Sequence, residues 1–212
     1  MSTAQGPGDP LVDPEPPRVR LLNIANQLTI LRLVLVPVFA FALMYDDGGS
    51  HAWRIAAWAI FAIAAWTDHV DGQLARSRNL ITSFGKLADP IADKALTGTA
   101  LIGLSALGLL PWWVTVVVLV REVGVTLLRF WVIRHGVIPA SRGGKLKTLL
   151  QGIAIGLYVL PLSGVFGTAR AWVMVVAVVV TVITGVDYVA RALTLRQTSE
   201  RAAMKRARRA GA

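Results

Sequence analysis

Four aspartates fall within 26 positions of a chain that is otherwise strongly apolar: Asp68 and Asp71 lie three apart, Asp89 and Asp93 four apart. Residues at these spacings share one face of an α-helix, so each pair presents two carboxylates to the same side. Four converging carboxylates repel one another unless they are protonated or bound to cations. Oxygen donors without Cys or His suit Mg²⁺ or Mn²⁺ rather than zinc. His69 adjoins Asp68, but its helical position turns it off the aspartate face, and a structural role is expected. The plain alternative is that the aspartates are interfacial charges neutralised by Arg76, Arg78, Lys86 and Lys94; it suits one aspartate better than four at these spacings.

Small residues accompany the acids. Gly72 is four after Asp68 and Ala75 four after Asp71, leaving little side chain beside either carboxylate, and Arg76 follows one turn beyond Gly72. Taken alone, either small residue would signal close helix packing. Together with the acids and the arginine they leave room for a ligand whose anionic part reaches both metals and guanidinium, such as a diphosphate ester. The chain has no cysteine, which excludes disulfides, thiolate nucleophiles and Cys-ligated zinc or iron–sulfur centres.

The elements that must hold these groups follow from composition. Of 212 residues, 55% are hydrophobic and only 16% charged, with a mean hydropathy of +0.59, against about 25% charged in soluble domains. Apolar segments recur at 27–45, 53–76, 86–108, 112–134, 146–166 and 169–190, each close to the ~20 residues that span ~30 Å of hydrocarbon. Turn-forming stretches separate them: Asp46 to Gly49, Gly108 to Pro111, Arg142 to Gly144 and Ser163 to Thr168. The expected fold is therefore all-α and integral to the membrane, with six transmembrane helices and both ends on one side. With helix 2 ending near Arg76 and helix 3 starting near Gly85, Asp71 and Asp89 lie ~6–8 Å inside those ends and Asp68 and Asp93 ~12 Å.

Basic residues orient the bundle. Arg18, Arg20, Arg76, Arg78, Lys86, Arg134, Arg142, Lys145, Lys147, Arg191 and the cluster from Arg196 to Arg209 fall on one side, and only Arg54 and Arg170 on the other. The positive-inside rule then puts both termini and the aspartates at the cytoplasmic face of the cell membrane. Residues 1–19, rich in Pro, Gly and acid, read as a disordered cytosolic tail, 20–192 as the catalytic membrane domain, and 193–212 as a basic cytosolic tail. The net charge of +10 is accounted for by topology and anionic lipid headgroups, with no nucleic-acid partner expected. Trp112 and Trp113 suit the outer interface.

Written out, Asp68-x-x-Asp71-Gly72-x-x-Ala75-Arg76, eight residues, Gly85-x-x-x-Asp89-x-x-x-Asp93 resembles the signature of the CDP-alcohol phosphatidyltransferases, and all eight fixed positions are met. The resemblance covers most of residues 20–192 and implies a six-helix, often dimeric fold with two divalent cations, Mg²⁺ or Mn²⁺, open to the cytoplasm. It makes Asp68, Asp71, Asp89 and Asp93 metal ligands, with Asp93 also the general base. Asn26, Thr29, Asp68, Gly72, Ala75 and Arg76 would bind the CDP-diacylglycerol donor. Two cations suit the chemistry independently, since they can neutralise a diphosphate and the charge that builds during in-line displacement.

The acceptor rests on two further stretches. Asn23-Ile-Ala25-Asn26-x-Leu28-Thr29-x-x-Arg32 is similar to the opening motif of family members whose acceptor is sn-glycerol 3-phosphate, with Ala25 in place of a proline. Arg121-Glu122 through Thr126 and Leu128-Arg129, followed by Gly144-Lys145-x-Lys147-Thr148, is similar to a second motif of the same enzymes. Arg121, Arg142, Lys145, Lys147 and Arg191 are the candidate ligands for the acceptor's phosphate, fixed positive charge near the metals but not on them. Arg142, Lys145 and Lys147 are expected on the cytoplasmic loop that opens helix 5, where ordinary positive-inside charge is the alternative. Arg121 and Glu122 fall mid-helix, where an internal ion pair is an equal alternative to acceptor binding, and Asp187 with Arg191 offers the same choice. The expected reaction gives phosphatidylglycerophosphate and CMP, in a homodimer. Inositol phosphate or phosphatidylglycerol as acceptor, a metal-dependent prenyltransferase and a proton-coupled transporter remain the rival readings.

Overall fold

The computed structural model describes residues 24–77, 83–132 and 142–210. The tail expected at 1–19, and the loop arginines Arg78 and Arg134, lie outside the described residues. Within them the fold is all-helical: α1 (Ile24–Met44), α2 (His51–Ser77), α3 (Ser83–Ala106), α4 (Trp112–Val132), α5 (Arg142–Val159) and α6 (Gly164–Ala210). These six match the six apolar segments. The helices α1 and α6 are long and apolar enough to cross a membrane, and their apolar windows are only 28% and 22% buried. Trp66, Val165, Phe166 and Trp172 are likewise exposed, an outer surface that suits lipid rather than water.

Packing brings α1 against α2 and α3, α5 against α2, α3 and α6, and α4 against α6. The core between them is built from Phe39 and Leu43 of α1, Phe61 of α2, Leu101 and Leu104 of α3, Val118 of α4 and Ile155 of α5. Phe39 and Phe61 meet with ring centroids 5.7 Å apart. Ala57, Ala64, Ala100 and Ala154 are fully buried at the crossings, where a small side chain lets two backbones approach. Thr115 of α4 bonds Ser105 Oγ at 2.7 Å and the Leu101 carbonyl at 3.1 Å, tying α4 to α3 through polar groups that each satisfy the other.

The turns follow their residue types. Gly108 ends α3 at φ +68°, with its N–H on the Ser105 carbonyl and that of Leu109 on the Leu104 carbonyl, the left-handed helix stop for which glycine is suited. Asp46, Asp47 and Gly48 take positive φ in a short 3-10 turn after α1. At that same end lie the two arginines that ran against the charge asymmetry. Arg54 is buried and donates to the carbonyls of Tyr158 (2.6 Å), Val159 (3.0 Å) and Leu160 (3.0 Å), the unpaired end of α5. The guanidinium of Arg170 sits 4.9 Å over the Tyr158 ring.

Several boundaries differ from the sequence reading. The break expected at Ser163 to Thr168 falls earlier, α5 ending at Val159 and α6 starting at Gly164, whose positive φ of +58° suits a turn. Arg142, Gly143 and Gly144, expected as a break, form the first turn of α5, where the leading N–H groups have no helical partner in any case. Lys145 and Lys147 are thereby helical rather than on a loop. The sixth helix starts at Gly164 and runs unbroken to Ala210, so no helix end separates the basic tail from the bundle.

Candidate active site

Asp68 and Asp71 occupy the last three turns of α2, and Asp89 and Asp93 the first three of α3. Counted from Ser77 and Ser83, Asp71 and Asp89 each lie ~9 Å along their helices, and Asp68 and Asp93 ~13.5 and ~15 Å. The two pairs stand at matching depth on helices in contact. Asp93 is the one member of the four whose side chain is described, and it is partly buried and engaged in polar interaction. No three His, Cys, Asp or Glu side chains gather among the described residues. The donor set itself, carboxylates alone at equal depth on two packed helices, fits hard divalent cations. Gly72, Ala75 and Arg76 follow on the last two turns of α2.

The first helix lends a polar stripe. Asn26, Thr29 and Arg32 recur every third residue, are all buried, and all have polar partners. Arg32 is wholly buried, ~12 Å into α1, on a helix that packs on both aspartate-bearing helices. The sequence reading gave roles to Asn26 and Thr29 and none to Arg32. Its spacing, and the cost of a guanidinium within an apolar helix, were the available signal.

A second cluster joins α3, α4, α5 and α6. Lys147 is 5% exposed and is ion-paired with Glu122 Oε1, which Arg121 also approaches at 3.4 Å. Arg121 crosses to α6 and donates to Thr184 Oγ1 at 3.2 Å. Gly185 permits that crossing, because a Cβ there would lie 3.0 Å from Arg121 Cγ. Lys94 donates to Thr126 Oγ1, whose own hydroxyl donates to the Glu122 carbonyl at 2.8 Å. The charges of Arg121, Asp93 and Lys94 all act on Lys147.

The structure thus brings Arg121 and Lys147 together on Glu122, on helices packed against the one that bears Asp93, and keeps other candidates apart. Lys145, two residues from Lys147, is exposed on the opposite side of α5. Arg191 is exposed on α6 and holds Asp187 at 2.9 Å, the ion-pair alternative for those two. Arg142 is the first residue of α5. The Arg121–Glu122 pair is also present, with Lys147 as a third member that local spacing could not reveal. Thr184 and Gly185 have no site role in the sequence reading, Thr126 enters there only within the motif that opens at Arg121, and Lys94 only as a charge that could neutralise the aspartates. Between α4 and α6 an apolar cleft of about 360 Å³, lined by Val120, Gly124, Val182 and Val186 with Arg121 at its wall, suits hydrocarbon rather than phosphate.

Comparison with known proteins bears on this geometry. The sequence model of the family described as CDP-alcohol phosphatidyltransferase matches residues 22–183. A probable phosphatidylglycerophosphate synthase of Mycobacterium tuberculosis (strain H37Rv) is 62% identical over 186 residues, covering 86% of this chain and 89% of that one. A CDP-diacylglycerol–glycerol-3-phosphate 3-phosphatidyltransferase of Bacillus subtilis (strain 168) is 37% identical, over 84% of this chain and all of the relative, 100%. A cardiolipin synthase (CMP-forming) of Streptomyces coelicolor is 35% identical, over 78% of this chain and 83% of its own length.

Proposed function

The chain belongs to the CDP-alcohol phosphatidyltransferase family, and from that premise we propose that it transfers the phosphatidyl group of CDP-diacylglycerol to sn-glycerol 3-phosphate, giving phosphatidylglycerophosphate and CMP. The observation that carries the choice of a phosphorylated acceptor is the buried ammonium of Lys147, held by Glu122 on a helix in contact with the one that bears Asp93. An acceptor that already bears a phosphate needs a fixed cation beside the reacting centre, and a lipid acceptor with a single phosphodiester has less use for one at this depth. The relatives named for the same reaction support this reading.

Asp68, Asp71, Asp89 and Asp93 would hold two divalent cations, Mg²⁺ or Mn²⁺, which supply charge neutralisation at the diphosphate and at the phosphorus under attack. Asn26, Thr29, Gly72, Ala75 and Arg76 bind the nucleotide end of the donor in this reading. Asp93 takes the proton from the 1-hydroxyl of the acceptor as its oxygen bonds to phosphorus and the bond to the CMP oxygen breaks. Lys147 and Arg121 orient the acceptor through its phosphate, with Arg142, Lys145 and Arg191 gathering it from the cytosol.

The reading includes six membrane spans, termini and site at the cytoplasmic face of the cell membrane, and a homodimer. Six helices of suitable length and the single-sided basic residues support the first two, and the family resemblance the third. The test is CMP release by the purified chain with CDP-diacylglycerol and Mg²⁺, offering sn-glycerol 3-phosphate, inositol 1-phosphate or phosphatidylglycerol separately. Release with glycerol phosphate alone is expected. Release only with inositol 1-phosphate would overturn the choice of acceptor and leave Lys147 as its phosphate ligand. Release only with phosphatidylglycerol would overturn the role given to Lys147 and leave the carboxylate site standing, and no release with any would overturn both.

A further inference from the structure

Lys147 heads a buried stripe on α5 that continues through Gln151, Ala154, Ile155 and Tyr158. Gln151 is the odd member. It is 5% exposed, yet its amide oxygen has no hydrogen-bond partner, a cost that Leu or Met at the same place would avoid. A buried acceptor of this kind calls for a donor that arrives with something else.

Its position says what that donor is attached to. Gln151 lies one turn deeper than Lys147 on the same face, a rise of ~6 Å along the axis and ~13.5 Å from the start of α5. Asp93 lies ~15 Å into α3, α3 and α5 are in contact, and Lys147 feels the charge of Asp93. Lys147 and Gln151 thus stand on a helix in contact with the one that carries the proposed base, at comparable depth. A rise of ~6 Å also matches the span from the phosphate of a small phosphorylated polyol to its hydroxyls.

We propose that Gln151 Oε1 accepts a hydrogen bond from the 2-hydroxyl of sn-glycerol 3-phosphate while Lys147 holds the phosphate, so that the attacking 1-hydroxyl is turned toward Asp93. This assignment rests on the acceptor reading given above. It makes Gln151 a specificity residue: a site built to receive a hydroxyl leaves its acceptor unpaired when the hydroxyl is missing.

The experiment compares kcat/KM for sn-glycerol 3-phosphate and for 3-hydroxypropyl phosphate, which keeps the phosphate and the nucleophile and lacks the 2-hydroxyl. The purified full chain is expected to favour the natural acceptor about tenfold, and Gln151→Met to bring the ratio to about one by losing rate with glycerol phosphate only. The apparent Tm of Gln151→Met in detergent should be unchanged or higher, since an unpaired buried oxygen is removed. Gln151→Glu keeps an acceptor oxygen and should keep the preference. No preference in the unmodified chain, or a tenfold preference retained by Gln151→Met, overturns the proposal with the acceptor reading intact. CMP release that requires a different acceptor overturns the acceptor reading first and this assignment with it.

Discussion

Glu122 serves two cations, and its removal should therefore cost more than the removal of either partner. Breaking a buried ion pair from one side costs ~3–5 kcal/mol, because the remaining charge is left uncompensated. In Glu122→Gln, Lys147 stays 5% exposed, with Arg121 and Lys94 close by and only Asp93 opposing them. The expected loss is ~3 kcal/mol, the low end because Gln still accepts a hydrogen bond. In Lys147→Met the carboxylate of Glu122 is 19% exposed and keeps Arg121 at 3.4 Å, so ~1–2 kcal/mol is expected. The double variant should lose ~2–3 kcal/mol, well short of the sum, because no buried ammonium is then left uncompensated and only Arg121 loses its carboxylate. For a domain of this size 1 kcal/mol moves Tm by about 2–4 °C. Heating each variant in detergent and following the folded fraction by size exclusion should give drops of about 6–12 °C for Glu122→Gln and about 2–8 °C for Lys147→Met. A Lys147→Met variant less stable than Glu122→Gln, or strictly additive losses, would refute the reasoning that one carboxylate anchors both cations.

Arg54→Met should lower Tm by about 5–10 °C with kcat and KM unchanged, since three hydrogen bonds to the end of α5 are lost at the far side of the bundle; a drop under about 1 °C would show those carbonyls to be satisfied without it. Arg54→Lys should fall between, one ammonium replacing a planar fork. Asp93→Asn should leave Tm within a few degrees and reduce CMP release about a hundredfold or more; retention above about a tenth of the rate would remove Asp93 from the role of base.

Much of this protein is legible as local sequence. The apolar runs give the six helices, and two of them, α1 and α6, are long and apolar enough to cross a membrane, where backbone groups must be satisfied within each segment. Spacings of three and four place Asp68 with Asp71 and Asp89 with Asp93 on single faces, and counting residues from the helix ends fixes their depth, since rise per residue is constant. The family signature lies within that same stretch. Gly108 and the Asp46 to Gly48 turn are equally local, set by the φ each residue tolerates.

Contacts between helices were not legible in this way. Lys145 and Lys147 look equivalent as neighbours in a basic segment, and reading Gly143 and Gly144 as a break concealed that a continuous helix turns one outward and buries the other. Arg54 counted only as an exception to charge asymmetry until α5 ended against it. Glu122 meets Lys147 across 25 positions and Arg121 meets Thr184 across 63, the latter permitted by a glycine whose missing Cβ matters only once α6 lies against α4. Helical periodicity assigns each side chain a face and a depth. Which face meets which is decided by how whole helices pack, through small residues and buried charges far apart in the chain, and that packing sets Lys147 and Arg121 on Glu122 while leaving Lys145 and Arg191 exposed.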